Sequence, residues 1–215
     1  MNLRSVQNLT QASWLAIHNT AKDADTAKKL SAIGFNDKRL REIENLTKMV
    51  EDLENTKIAS FHEGLRVSEQ IEKEVHDLRP LFMDHVASVR YAFRHEPALL
   101  RTFLPKPVAP NKWGWLPQAR HMYIHIVPYA EQLAMYGIAL EDLEQAKASV
   151  EAIIRLREDR MLKKGIAEDC TDSRNQMVKQ LKSLLKEFHA AAKLALKDNP
   201  QKLEAFGIRV RSLQK

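Results

Sequence analysis

Set against itself at an offset of 103 residues, the chain matches without a gap from Ala27–Leu104 to Ala130–Gly207. Thirteen of those 78 pairs are identical, among them Leu30/Leu133, Gly34/Gly137, Val75/Val178, Leu78/Leu181, Pro97/Pro200 and Phe103/Phe206. The identities fall on apolar positions and on the breakers Gly and Pro, which is where a shared backbone needs them. The chain therefore reads as a tandem duplication of one helical unit.

The unit is helical because the alternatives lack their markers. Gly is scarce, at 6 of 215 residues, and alternating apolar runs with Gly-rich turns are absent. Each copy predicts three helical pieces. A shorter helix lies around Ser13–Ile33 and again around Pro117–Tyr136, and Gly34 and Gly137 supply the turn that ends it. A long helix follows over Asp37–Glu63 and Leu140–Lys164. After a polar break comes a second long helix, over Ser68–His95 and Thr171–Lys197, closed by Pro97 and Pro200. Pro80 lies inside one of these and is expected to kink it or to restart it.

In the last long helix Leu181, Leu184, Leu185, Phe188, Ala192 and Ala195 share one arc, with Lys179, Lys182, Lys186, Lys193 and Lys197 opposite. An amphipathic hairpin cannot bury both stripes alone, so the copies are expected to bury them against each other. The expected fold is all-α: an antiparallel up-and-down bundle of four long helices plus shorter ones, with pseudo-twofold symmetry. Repeat 1 would occupy residues 1–104, a Pro/Trp linker 105–117 and repeat 2 118–215, the two packing as one body. In layout alone, a duplicated three-helix unit of this kind resembles the PhoU-type phosphate-signalling regulators. The acidic metal-binding motifs of that family are not found at matching positions, so its function does not carry over.

Bulk properties narrow the setting. Cys170 is the single cysteine and cannot form an internal disulfide, which fits a reducing cytoplasm. The first residues lack the apolar run of a signal peptide, and no stretch approaches a membrane span. The net charge of +6 is uneven: from Arg174 onward there are 10 Lys/Arg against 3 Asp/Glu. Such a region suits a polyanion, and a lysine-rich solvated helix face gives the same count.

Motifs for chemistry are weak. A di-iron bundle needs Glu-x-x-His pairs, and Glu72, His62, His76 and His85 do not give that spacing. His121 and His125 have a chelating i, i+4 spacing, but Met122 stands where a zinc protease has its Glu. Cys170 sits among Glu168, Asp169 and Asp172, which disfavour a thiolate. No nucleophile elbow, phosphate loop or dinucleotide fingerprint occurs. No cofactor and no catalytic residue is assigned.

Four sets of residues remain. Lys57 and Arg160 are equivalent across the copies and fall in the apolar arc of their helices. Either their stems snorkel and their heads pair with carboxylates, or they line a shared cavity that receives an anion. His85 lies on an apolar arc where the other copy has Phe188. Arg79/Lys182, Arg90/Lys193 and Arg94/Lys197 recur as basic pairs and could form a phosphate-binding surface. Trp113 and Trp115, in the linker, either pin it to the helices or offer an aromatic patch. The leading expectation is a non-enzymatic, cytoplasmic helical-bundle protein that acts by binding a protein partner or itself. The rivals are a polyanion-binding module, and a metal- or small-ligand-binding bundle with a site between the repeats.

Overall fold

The structure is a computed structural model that describes residues 3–210. Among these it holds seven α-helices and no strand: α1 (Leu3–Lys22), α2 (Ala24–Ala32), α3 (Asp37–Ala92), α4 (Pro97–Phe103), α5 (Trp115–Ile126), α6 (Ala130–Ala134) and α7 (Leu140–Ala195). Two 3-10 segments, Val127–Tyr129 and Pro200–Phe206, complete it. The all-α expectation is met. No helix among the described residues is long and apolar enough to cross a membrane.

The expectation of four long helices is corrected. Residues 64–67 and 165–170, read from sequence as polar breaks, are helical, so α3 and α7 are each one continuous helix of 56 residues. A lone interior glycine costs a helix about 1 kcal/mol relative to alanine, which is less than breaking the ladder of hydrogen bonds on both sides. Gly64 and Gly165 therefore do not end their helices. The assigned helix also continues through Pro80, whose side is exposed.

The shorter helices expected around Ser13–Ile33 and Pro117–Tyr136 are corrected too: the first is split at Asp23 and the second by the 3-10 segment Val127–Tyr129. Asp23 caps α2, accepting from the backbone N–H groups of Asp25 and Thr26 at 3.1 and 3.2 Å. Gly34 and Gly137 take positive φ, 94° and 80°, and end α2 and α6 as the sequence predicts. The N–H of Phe35 then reaches the Leu30 carbonyl at 3.0 Å, and that of Ile138 reaches the Leu133 carbonyl at 3.3 Å. This is the Schellman pattern, which satisfies carbonyls a helix end would leave open.

The chain forms two compact units, and each takes part of both long helices. Unit 1 comprises residues 1–60 and 165–215, of which 3–60 and 165–210 are described; unit 2 comprises residues 61–164. Unit 1 has its own core, where Ile43 and Val50 of α3 meet Leu181, Leu185 and Phe188 of α7, under Val6 and Ala16 of α1. Unit 2 has another, where Phe82 and Val89 of α3, with Phe93 just beyond its end, meet Leu143, Val150 and Ile153 of α7, under Trp115, Met122 and Tyr123 of α5. The buried positions echo the offset of 103: Ile43/Ala146, Thr47/Val150, Val50/Ile153, Ile71/Arg174, Val75/Val178 and His85/Phe188 are buried on both sides.

Candidate functional site

The echo fails at Glu54 and Arg157, as it does at Leu81 and Leu184. In unit 1 the buried row Ile43–Thr47–Val50 ends on Glu54, also buried. Arg174 of α7, likewise buried, donates through Nη1 to the Glu54 carboxylate, and Lys57 Nζ adds a bond at 3.1 Å. Burial works to raise the Glu54 carboxyl, but Arg174 and Lys57 hold it below the ordinary range. One face of unit 1 thus closes on an internal ion pair.

In unit 2 the residues 103 positions away are Arg157, where unit 1 has Glu54, and Ile71, where it has Arg174. Lys57 corresponds to Arg160. The carboxylate is gone, and a cleft of about 480 Å³ opens there. Ser68, Ile71 and Glu72 of α3 form one wall; Ile154, Arg157, Glu158, Arg160 and Met161 of α7 form the other; Trp113 closes one end. Arg157 lies over the Trp113 ring, 4.8 Å from its centroid. Lys112 lies against the same ring at 5.0 Å and pairs with Glu72 at 2.8 Å, so Glu72 is already engaged. Lys112 foremost, with Arg160 contributing, holds the Glu72 carboxyl below its usual range. Among the described residues neither Arg157 nor Arg160 forms a salt bridge. Two guanidiniums without a salt bridge, in a cleft they share with Glu72 and Glu158, suit a planar anion held bidentately.

The Pro-rich segment positions Trp113. Gln118 accepts from Ala109 N–H at 2.8 Å and donates to the Pro107 carbonyl at 2.8 Å. Arg79 donates to the Pro110 carbonyl at 3.0 Å. Asn111 Oδ1 accepts from the N–H groups of Trp113 and Gly114. A Cβ on Gly114 would sit 2.6 Å from Asn111 Oδ1 and 2.9 Å from Ala109 Cβ, so only glycine fits this turn.

The other expected residues fall as follows. Trp115 is corrected as a contact residue: it is fully buried, stacks on Phe82 at 5.4 Å and donates to the Lys112 carbonyl at 3.0 Å. His85 is buried, and its Nδ1 lies 3.0 Å from the Tyr123 hydroxyl, the partner that sequence did not reveal. Burial lowers the His85 pKa against the opposing pull of Asp142 and Asp84, and burial raises the Tyr123 hydroxyl. Both groups are thereby kept neutral, a polar node inside the unit 2 core. Arg79, Arg90 and Arg94 belong to unit 2, whereas Lys182, Lys193 and Lys197 belong to unit 1. Arg94 donates to the Tyr91 carbonyl at 2.8 Å and covers that ring. Lys57 and Arg160 likewise fall in different units, so the cleft lined by Arg160 is built from residues 61–164 alone. His121 and His125 have rings 4.2 Å apart and spend nitrogens on the carbonyls of Thr102 and His121. No group of three or more His, Cys, Asp or Glu among the described residues could hold a metal ion.

Sequence reading missed Arg157, Ile71 and Arg174. The signal was present: a charge reversal, Glu54 to Arg157, one turn beyond the apolar pair Val50 and Ile153. No family model, no curated protein and no solved structure matches the chain.

Proposed function

We propose that the protein is a non-enzymatic binding module, built from a duplicated helical unit, and that the Trp113–Arg157–Arg160 cleft of unit 2 receives an anionic group of its partner. The observation that carries this reading is the pair of guanidiniums without a salt bridge, at the place where unit 1 supplies its own Glu54. A ligand carboxylate would take the part that Glu54 plays, and Trp113 would give it an aromatic wall. Ser68, the one hydroxyl of the cleft, donates to the Gly64 carbonyl at 2.7 Å.

The test is a titration with poly-L-glutamate at low salt, read by Trp113 emission as the difference from Trp113→Phe. Arg157→Ala/Arg160→Ala is expected to bind about tenfold more weakly, or less. Arg79→Ala/Arg94→Ala, on the alternative basic face, is expected to bind as the parent does. The reverse pattern would move the site to that face.

A further inference from the structure

The helix that covers each unit differs in extent. In unit 1, α1 carries residues 3–13 ahead of Trp14; in unit 2, α5 begins at Trp115 itself. Trp14-Leu15 and Trp115-Leu116 mark the same point of the two covering helices. Trp14 donates to Glu51 at 2.9 Å, and Asn19, further along α1, donates to the Ala205 carbonyl at 2.6 Å. Residues 3–13 therefore run from Trp14 toward the Glu54–Arg174 end of the unit, with Val6, Thr10 and Ser13 buried at helical spacing. The corresponding stretch of unit 2 is the Pro-rich segment. It has no helix between Phe103 and Trp115 and is bonded to Arg79 and Gln118.

About three turns of covering helix are thus present in unit 1 and missing in unit 2. What they leave open in unit 2 is apolar at one end and basic at the other. Phe61, Leu65, Ser68 and Glu72 follow one another at four, three and four residues along α3 and share one helical face. Phe61 and Leu65 are 59% and 47% exposed, and Met161 of the opposite wall is 68% exposed. Arg157 and Arg160 line the same cleft as Ile71 and Glu72, and Glu158 lines it too. A small anion would fill that cleft and leave the apolar stripe in water.

We infer that the occupant is an acidic amphipathic helix of a protein partner, laid on α3 and α7 of unit 2 as a continuation of the α5 layer. Its apolar residues, at i, i+3 or i+4 and i+7, cover Phe61, Leu65 and Met161. Its carboxylates, at the end nearer Trp113, meet Arg157 and Arg160. The inference rests on the anion-receiving role of the cleft and adds the partner's form and polarity.

The experiment uses the full chain and a fluorescein-labelled synthetic peptide of about 14 residues, helical on an Ala/Gln background, with Leu at that spacing and a Glu pair one turn beyond. A scrambled peptide of the same composition and poly-L-glutamate are the controls. The expected result is saturable binding of the ordered peptide, about tenfold tighter than the scrambled one. Phe61→Gln/Leu65→Gln, on exposed positions, removes that gain and leaves poly-L-glutamate binding unchanged; Arg157→Ala/Arg160→Ala weakens both. Arginine-dependent binding of poly-L-glutamate, with no preference for the ordered peptide and no effect of Phe61→Gln/Leu65→Gln, overturns the helix inference and leaves the cleft's role standing. Loss of neither ligand in Arg157→Ala/Arg160→Ala overturns both. Concentration-dependent dimers that Phe61→Gln/Leu65→Gln abolishes would make the occupant a second copy of this chain, and would overturn the inference likewise.

Discussion

Arg174 donates a hydrogen bond to the Glu54 carboxylate across 120 residues of sequence, and both side chains are buried. A buried charge that loses its partner costs about 3–5 kcal/mol, whereas a well-packed apolar replacement of the whole pair is close to neutral. Glu54→Ala is therefore expected to lower the urea unfolding free energy by about 3–5 kcal/mol, leaving Arg174 uncompensated. The pair also fixes a pH dependence. The Glu54 carboxyl is held below its unfolded value, so its contribution is full above the ordinary Glu range near about 4.3. It is lost as pH falls through the lower, folded value. Urea midpoints between pH 7 and 3 should fall less steeply for Glu54→Gln than for the parent; equal slopes would remove Glu54 from the account.

The His85–Tyr123 node titrates higher. Burial depresses the His85 pKa, so below about 6.5 the unfolded chain takes up a proton that the folded one refuses. Stability is then full above that value, declines as pH drops through it, and stops declining below the folded pKa. His189, also depressed by burial and by Lys193, acts in the same sense. Thermal melts from pH 8 to 5 should show the decline, reduced but not abolished in His85→Phe. Tyr123→Phe leaves a buried imidazole nitrogen unpaired and is expected to cost about 1–3 kcal/mol.

Glycines separate into two kinds. Gly64 and Gly165 lie inside α3 and α7, and a Cβ there meets nothing closer than Lys163 Cβ at 4.0 Å. Alanine at either position should raise stability by about 0.5–1 kcal/mol. Gly34 and Gly137 have φ of 94° and 80°, and alanine there should cost about 1 kcal/mol or more. Denaturant curves of the four single variants decide this; destabilisation by Gly64→Ala would argue against an unbroken α3.

The two linker tryptophans should part company. Trp115→Ala removes a fully buried ring and is expected to cost about 3–5 kcal/mol. Trp113 is half-buried at the mouth of the cleft, and Trp113→Ala should cost about 1 kcal/mol while removing the aromatic wall. Melting temperatures and poly-L-glutamate titration of both variants make the comparison.

The helices and their turns were legible in the sequence because their causes are local. A stripe at helical spacing and a glycine at a left-handed turn act within a few residues, and Gly34 and Gly137 stand where they were expected; Pro97 and Pro200, expected to close the long helices, begin the short segments that follow them. The polar stretches 64–67 and 165–170 misled because polarity marks exposure, and an exposed stretch between two apolar stripes is as easily mid-helix as loop. Lys57 and Arg160, 103 residues apart, were legible as cations in an apolar arc, but their surroundings were not: one meets Glu54, the other lines a cleft.

By itself, then, the sequence determined the helical class, the turn positions and the recurrence of buried positions at an offset of 103. Only the tertiary structure decided that each unit draws on both long helices, that Glu54 finds Arg174, and that Arg157 finds Trp113. The physical reason is range. Periodicity and turn chemistry are properties of neighbouring residues, whereas the pairing of charges across 120 residues depends on which faces of two long helices are laid together.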